Sequence, residues 1–318
     1  MKKKIFKIIF ILLITVASFY GLYKYLTLVD VHLATEINKY QKIEHKEYKV
    51  EKDFTNRTYS IYKDNDDDFK ILQLTDIHIG GSKASYRNDL LAFAAMYDLI
   101  KYSKPDLIVL TGDMMFSSIL SRNVNNKNAA IALKVFFDNI GIPWTMVFGN
   151  HDYEFYNTAN PMDIAMVFET SDNFLFTPYY SVDNKLYSNH QINLFNEDGT
   201  LNRVLLFMDS NMLTSSDDNL TNTALSWYEI TMIKNKEKYG DFKSLLFLHE
   251  PLYEYSDAWD YVTMSDKYKT AGLGEYYFGS KREKICYEKK TDLFNVIKTF
   301  KSTDGVFCGH DHLNDFFC

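Results

Sequence analysis

Near the start of the chain, Ile8 to Tyr23 runs uncharged and mostly apolar between Lys7 and Lys24, behind Lys2-Lys3-Lys4. A basic stretch before an apolar run is the order of a signal peptide or an uncleaved signal anchor. The run is just short of the ~17–25 residues of a spanning helix, and Ile5 and Phe6 extend it if Lys7 snorkels. Val16-Ala17-Ser18 offers a cleavage site. Residues 1–24 are therefore read as a targeting segment, with the basic flank cytoplasmic and the rest translocated, secreted or held at the membrane. Residues 25–68 are polar and read as a connector carrying one or two strands into the core, with Asp66 to Asp68 as a solvated turn.

From residue 69 short apolar runs alternate with longer amphipathic ones. Phe69–Leu74, Leu107–Leu110, Trp144–Phe148, Val204–Met208, Leu245–Leu248 and Val306–Cys308 read as strands. Asn88–Tyr102, Asn128–Ile140, Leu225–Lys236 and Thr291–Phe300 have helical spacing. Uninterrupted apolar strands alternating with helices predict an α/β domain over 69–318, its strands largely parallel and covered on both faces. The 155–202 region reads as loops with one short helix near Asp163 to Phe168, and 253–290 as a long polar insertion. Loops of that length are often functional, and the 153–202 and 253–290 loops are expected to line a substrate pocket.

Composition changes this picture little. The chain has 318 residues, 46% hydrophobic and 24% charged, enough for a large core. A net charge of −7 and the lack of a basic face argue against a nucleic-acid scaffold role. Cys286, Cys308 and Cys318 form no disulfide framework. Cys308 reads as core, leaving Cys286 with Cys318 as the one pair to consider. Asn56-Arg57-Thr58 and Asn219-Leu220-Thr221 are glycosylation sequons.

The chemistry sits where strands end. Five strands finish in metal-ligand residue types: Asp76-Ile77-His78, Gly112-Asp113, Gly149-Asn150-His151-Asp152, His249, and Gly309-His310-Asp311-His312. Five of the eight histidines lie in these positions, whereas His32, His45 and His190 fall in polar segments. In open α/β folds ligands bind beyond the carboxyl ends of strands. Carboxylate, amide oxygen and imidazole without thiolate suit Fe, Mn or Zn and disfavour a structural zinc knuckle. Two such ions ~3.5–4 Å apart need a bridging carboxylate and together acidify a water. Period-two alternation would put Asp76 with His78, and His310 with His312, on one side of an extended segment. Gly112, Gly149 and Gly309 would permit tight turns. Each fragment alone is also an ordinary turn or loop; the order and the placement after strands carry the reading.

These motifs, from Asp76 to His312, resemble the calcineurin-like metallophosphoesterase superfamily. The ending Gly-His-Asp-His-Leu-Asn-Asp-Phe-Phe-Cys and the segment His249-Glu250-Pro251-Leu252 are most similar to the purple-acid-phosphatase-like phosphoesterases of fungi and plants. The resemblance implies a four-layer sandwich of two mixed β-sheets flanked by helices. It implies that Asp76, His78 and His312 hold one metal, that Asn150, His249 and His310 hold a second, and that Asp113 bridges them. His151, oriented by Asp152, would protonate the leaving oxygen after attack by a bridging hydroxide. Asn150, His151 and Tyr153 would contact the substrate. The implied activity is phosphoester hydrolysis, as a phosphomonoesterase first, a phosphodiesterase on nucleotides or lipid head groups second; a catalytically silent binding protein is the reading from another class. Phe116 stands where the family often has an acidic residue and purple acid phosphatases have Tyr, so no iron–tyrosinate site is expected. Relatives usually continue beyond the last motif, which implies a C-terminally truncated fold.

Overall fold

A computed structural model describes the chain except for residues 1, 27–30, 65–67, 117–124, 154–158, 177–178, 181–185, 214, 217, 264–274 and 288. The apolar N-terminal segment is helix α1 (Lys2–Leu26), and none of its Lys3–Tyr25 stretch is buried; by length and composition it could cross a membrane. Beyond it, the expected connector carries helix α2 (Val31–Ile37) and the antiparallel pair β1 (Lys49–Asp53) and β2 (Thr58–Lys63). These are integral to the fold, for Leu33, Ile37, Tyr59 and Ile61 are all buried. Of the acidic run at 66–68, Asp66 and Asp67 fall outside the described residues.

The next unit is β3 (Ile71–Leu74), α3 (Tyr86–Ser103), β4 (Leu107–Thr111), α4 (Asn126–Ile140) and β5 (Trp144–Val147). The three strands pair in parallel in the order β3-β4-β5. Asn125 caps α4 through its side chain, and Gly141 closes it at φ 82°, as its position after Ile140 predicts. Helix α5 (Pro161–Phe168) opens with a capping box between Asn160 and Asp163. A small hairpin, β6 (Tyr179–Tyr180) and β7 (Leu186–Tyr187), precedes β8 (His190–Asn196) and β9 (Leu201–Phe207). Then come α6 (Ser210–Leu213), α7 (Asp218–Tyr239), β10 (Ser244–Phe247), α8 (Glu254–Thr263), α9 (Leu293–Phe300) and β11 (Thr303–Phe307). The second sheet has the order β1-β2-β8-β9-β10-β11, with β1/β2 and β8/β9 antiparallel and the other neighbours parallel.

Alternation along the strands builds the layers. On β4, Ile108 and Leu110 pack with Phe93, Phe136 and Ile164 from the helices, while Leu107 and Val109 face Tyr59, Ile61, Leu194, Phe207 and Phe247 of the second sheet. On that sheet's other side Val204, Leu206 and Leu246 meet Tyr228 and Met232 of α7 and Leu293 and Ile297 of α9. The four-layer sandwich is therefore present, with one correction. The six-stranded sheet is mixed, but β3-β4-β5 is wholly parallel, because helical crossovers join its strands.

The 155–202 region is more regular than expected, since β8 and the start of β9 lie inside it. In β8 the inward Ile192 and Leu194 alternate with Gln191 and Asn193, so the run reads as polar. His190, expected in a polar segment, is buried; its ring stacks on Phe207 at 4.6 Å and its Nε2 lies 2.7 Å from Thr145 Oγ1. Burial pushes this imidazole down to about 3 from its ordinary 6.5. Between those values the unfolded chain binds a proton that the folded chain refuses, so stability is complete above 6.5 and falls as pH falls. The expected slope is up to about 1.4 kcal/mol per pH unit. Urea unfolding at pH 6.5 and 4 should show a smaller acid loss for His190→Gln than for the parent; equal losses would exclude His190 as a source. Cys286, Cys308 and Cys318 are free thiols, so the Cys286–Cys318 pair is not formed.

Candidate metal centre

The parallel strands β3, β4, β5, β10 and β11 all deliver their carboxyl ends to one edge of the sandwich, and the five motifs meet there. Asp113 Oδ2 is the hub: His249 Nε2 lies 3.3 Å away, His151 Nε2 3.8 Å and His78 Nε2 4.0 Å. Asp76 Oδ1 is 3.5 Å from His312 Nε2 and 3.9 Å from His78 Nε2. His249 Nε2 is 3.1 Å from Asn150 Oδ1 and 3.3 Å from His310 Nδ1. Three overlapping sets have the spacing to hold an ion: Asp76 with His78 and His312, His78 with Asp113 and His151, and Asp113 with His249 and His310. Tyr153 closes a short 3-10 turn after His151, but its side chain lies outside the described residues.

The backbone is not the extended one that period-two alternation assumes. Asp76, His78, Asp113 and His310 have φ of 53°, 56°, 51° and 73°, in the left-handed region that non-glycine residues seldom enter. Bonds between the strand exits impose this: Asp76 N–H donates to Gly112 O at 3.1 Å and His78 N–H to Asp113 O at 3.1 Å. Such strain persists only where surrounding structure over-determines it, typically at functional sites. The glycines need a correction too. Gly112 is at φ 91°, as a turn requires, but Gly149 and Gly309 serve close approach. A Cβ on Gly149 would lie 2.1 Å from Asp113 Oδ1, and one on Gly309 would lie 1.9 Å from Thr75 Oγ1.

The donor set fits cations. His249 Nδ1 is 2.8 Å from the Thr111 carbonyl, a bond it can only donate, so in the neutral ring Nε2 carries a lone pair. That lone pair faces the Asp113 carboxylate, and a proton or a cation must lie between them. Burial is the largest influence on His249 and pushes it down, yet Asp113 and then Asp76 outweigh it and raise the imidazole to about 9. His78 behaves oppositely: burial first, with His151 and His312 adding, pushes it down to about 4 despite the neighbouring carboxylates, which leaves a ligand lone pair. Asp76 Oδ1 and His78 Nε2 are buried without a hydrogen-bond partner. Buried polar atoms are rarely orphaned, and these two belong to one set with ligand spacing.

Other residues hold the donors in place. Asp152, fully buried, is pushed up to about 8, first by burial and then by the Asp113 charge. Its Oδ2 accepts the N–H of Gly149 at 2.8 Å and of Asp113 at 3.2 Å, bracing the β4 and β5 exits. Sequence reasoning missed several supports. The Thr75 hydroxyl donates to Asp76 Oδ2 at 2.6 Å, and Gln73 Nε2 bridges the sheets by donating to Thr111 Oγ1 and the Cys308 carbonyl. Asp89 accepts the N–H groups of Gly80 and Gly81, pinning the loop after His78. The β9 exit also reaches this edge: Ser210 Oγ accepts the N–H of Glu250, beside His249. Glu283 Oε1 and Asn314 Oδ1 tie the 280–286 segment to the loop after His312. Phe116 packs edge-on against His78 and His151, with ring centroids 5.1 and 4.5 Å away. The one available signal was polar residues interrupting apolar strands or their exits, as at Gln73 and Thr75. Thr75→Val should weaken metal uptake by about 10–100-fold, the usual cost of losing a support behind a ligand; competition with a chelator measures it, and unchanged affinity would remove Thr75 from the centre.

A two-sheet sandwich flanked by helices, with carboxylate, amide and imidazole donors gathered at the strand exits, is the metallophosphoesterase fold. The chain belongs to the calcineurin-like phosphoesterase family, whose sequence model matches residues 69–314. It is 30% identical over 271 residues to Phosphatase DCR2 of Saccharomyces cerevisiae, covering 78% of this chain and 44% of that one. It is 26% identical over 290 residues to Probable inactive purple acid phosphatase 29 of Arabidopsis thaliana, covering 78% of this chain and 68% of that one. Thus the chain spans about two thirds of the plant relative and under half of the yeast one. Among solved structures it is similar to a dimetal phosphatase from Danio rerio, with 13% identity, a TM-score of 0.45, and coverage of 77% and 82%.

Proposed function

We propose that this chain is a metal-dependent phosphomonoesterase. Supporting this is the convergence of side chains from five strand exits, with Asp113 shared between two of the ion-spaced sets. Asp76, His78 and His312 would hold one ion; Asn150, His249 and His310 would hold the other; Asp113 would serve both. When bound, two such cations, of Fe, Mn or Zn type, acidify a water and neutralise charge on the phosphoryl oxygens.

The protein's own contribution is placement and proton transfer. Asn150 and His151 are both partly exposed beside the donor set and would orient the ester, with the leaving oxygen toward His151 Nε2. That nitrogen delivers a proton as the P–O bond breaks. Asp152 positions His151 through the backbone, by fixing Gly149 and Asp113 on either side of it. Helix α1 would anchor the domain to a membrane on its extracytoplasmic face, and the partners are then a phosphoester and the bilayer.

Two other readings remain in competition. A phosphodiesterase would use the same donors. A silent binding protein is favoured by the names of the plant relatives, which call them inactive. The deciding experiment is metal quantitation on the purified full-length chain, together with p-nitrophenyl phosphate and bis(p-nitrophenyl) phosphate. Two ions and faster monoester turnover are expected. Faster diester turnover selects the second reading, and bound metal without turnover of any phosphoester in a broad panel selects the third.

A further inference from the structure

Away from the metal centre, α7 does not close fully onto the outer face of β2 and β8. A cavity of about 320 Å³ remains between them, at the lower end of the range for small-molecule sites. Its floor is made of carboxamides: Gln191 Nε2 donates to Asn193 Oδ1 at 3.2 Å, and Asn235 Nδ2 donates to Gln191 Oε1 at 3.0 Å. Asn193 and Asn235 are buried. A carboxamide both donates and accepts, the chemistry that recognises hydroxyls. Trp227 and Tyr239 give the cavity aromatic wall, the kind of surface on which the apolar face of a sugar ring rests.

The rim adds charge of one sign. Arg57, Lys234 and Lys238 line the cavity against a single carboxylate, Asp53. Arg57 sits in the β1–β2 turn at φ 52°, a conformation that favours glycine or asparagine. Asp53 imposes the turn by accepting the backbone N–H and side-chain amide of Asn56 at 3.1 and 2.7 Å. Arg57 is half-buried and lines the groove beside the amide floor. A strained, half-buried arginine beside an amide floor suits a phosphate group, which its planar fork can bind through two parallel bonds.

We infer that this groove between α7 and the β2–β8 face is a second binding site, for a small anionic polyol of the sugar-phosphate class. It does not depend on the reading of the metal centre. The test is calorimetric titration of the full-length chain with the phosphonate analogue of glucose 6-phosphate, which has no phosphoester bond to hydrolyse. Glucose and inorganic phosphate serve as the separate halves. The sugar phosphonate should bind about tenfold or more tightly than either half. Arg57→Asn, which suits the left-handed backbone, and Trp227→Ala should each weaken it by about tenfold or more while metal content and p-nitrophenyl phosphate turnover stay at parental values. Binding retained in both variants would place the ligand at the metal centre and overturn the inference, as would no binding by the parent. Inorganic phosphate binding as tightly as the sugar phosphonate, and weakened likewise by Arg57→Asn, would overturn the polyol assignment.

Discussion

Asp113→Asn is expected to lose metal and hydrolysis together. The side chain is buried, and its two oxygens have different tasks. Oδ1 accepts the His151 N–H at 2.9 Å, which an asparagine oxygen can still do. Oδ2 faces the imidazoles of His78, His151 and His249, and in the variant an uncharged amide stands there instead. The shape is kept, but the negative charge shared by two ligand sets is gone. Burial works to raise the Asp113 carboxyl, yet the His249 bond and the charges of His249 and His151 hold it below the usual carboxylate range. An anion is therefore built into the site. Bound metal should fall from two ions to one or none after dialysis, and kcat/KM for p-nitrophenyl phosphate by about a thousandfold or more, roughly 4 kcal/mol of transition-state stabilisation. Elemental analysis and steady-state kinetics on the same preparation measure both, with circular dichroism to establish that the variant folds. Two retained ions with turnover within about tenfold of the parent would remove Asp113 from its bridging place.

The strand exits were legible because each is written locally, as a short apolar run followed by a metal-ligand side chain, three of the five with a glycine between. The helical crossovers were legible because α3 and α4 carry their apolar residues at helical spacing. What could not be read was set by contacts distant in sequence. The left-handed backbone at Asp76 and His78 follows from bonds to Gly112 and Asp113 on the neighbouring strand exit. The close-approach role of Gly149 depends on Asp113, and that of Gly309 on Thr75. Strand β8 was hidden because four of its seven residues are amides or histidine, and two of those amides, Gln191 and Asn193, line the second cavity. His190 stands in a polar stretch of sequence, but Thr145, the Ser188 carbonyl and the Phe207 ring make it a core residue. Two buried histidines thus diverge: His190 packs on the Phe176 and Phe207 rings, while His249 faces the Asp113 carboxylate.

Those two environments also separate what each residue contributes. A buried imidazole pushed down to about 3 is a neutral packing element whose removal alters acid stability. An imidazole raised to about 9 beside Asp113 marks a place where positive charge belongs. A bound cation there would displace the proton from His249, so metal uptake should release protons and weaken as pH falls.

His151→Ala should leave the ions bound and slow the reaction. The backbone N–H of residue 151 still donates to Asp113 Oδ1 in the variant, and the Asp152 bonds to Gly149 and Asp113 are untouched. What disappears is a half-buried ring packed edge-on against His78 and Phe116, with its Nε2 3.8 Å from Asp113 Oδ2. If that ring is the proton donor, turnover falls by about 10²–10⁴-fold for alkyl phosphates, whose departing oxygen needs the proton. The loss should be much smaller for p-nitrophenyl phosphate, whose phenolate leaves unaided. Chelator competition should give unchanged metal affinity. A uniform loss across leaving groups, accompanied by loss of one ion, would instead put His151 among the ligands, as the third member of the set formed by His78 and Asp113.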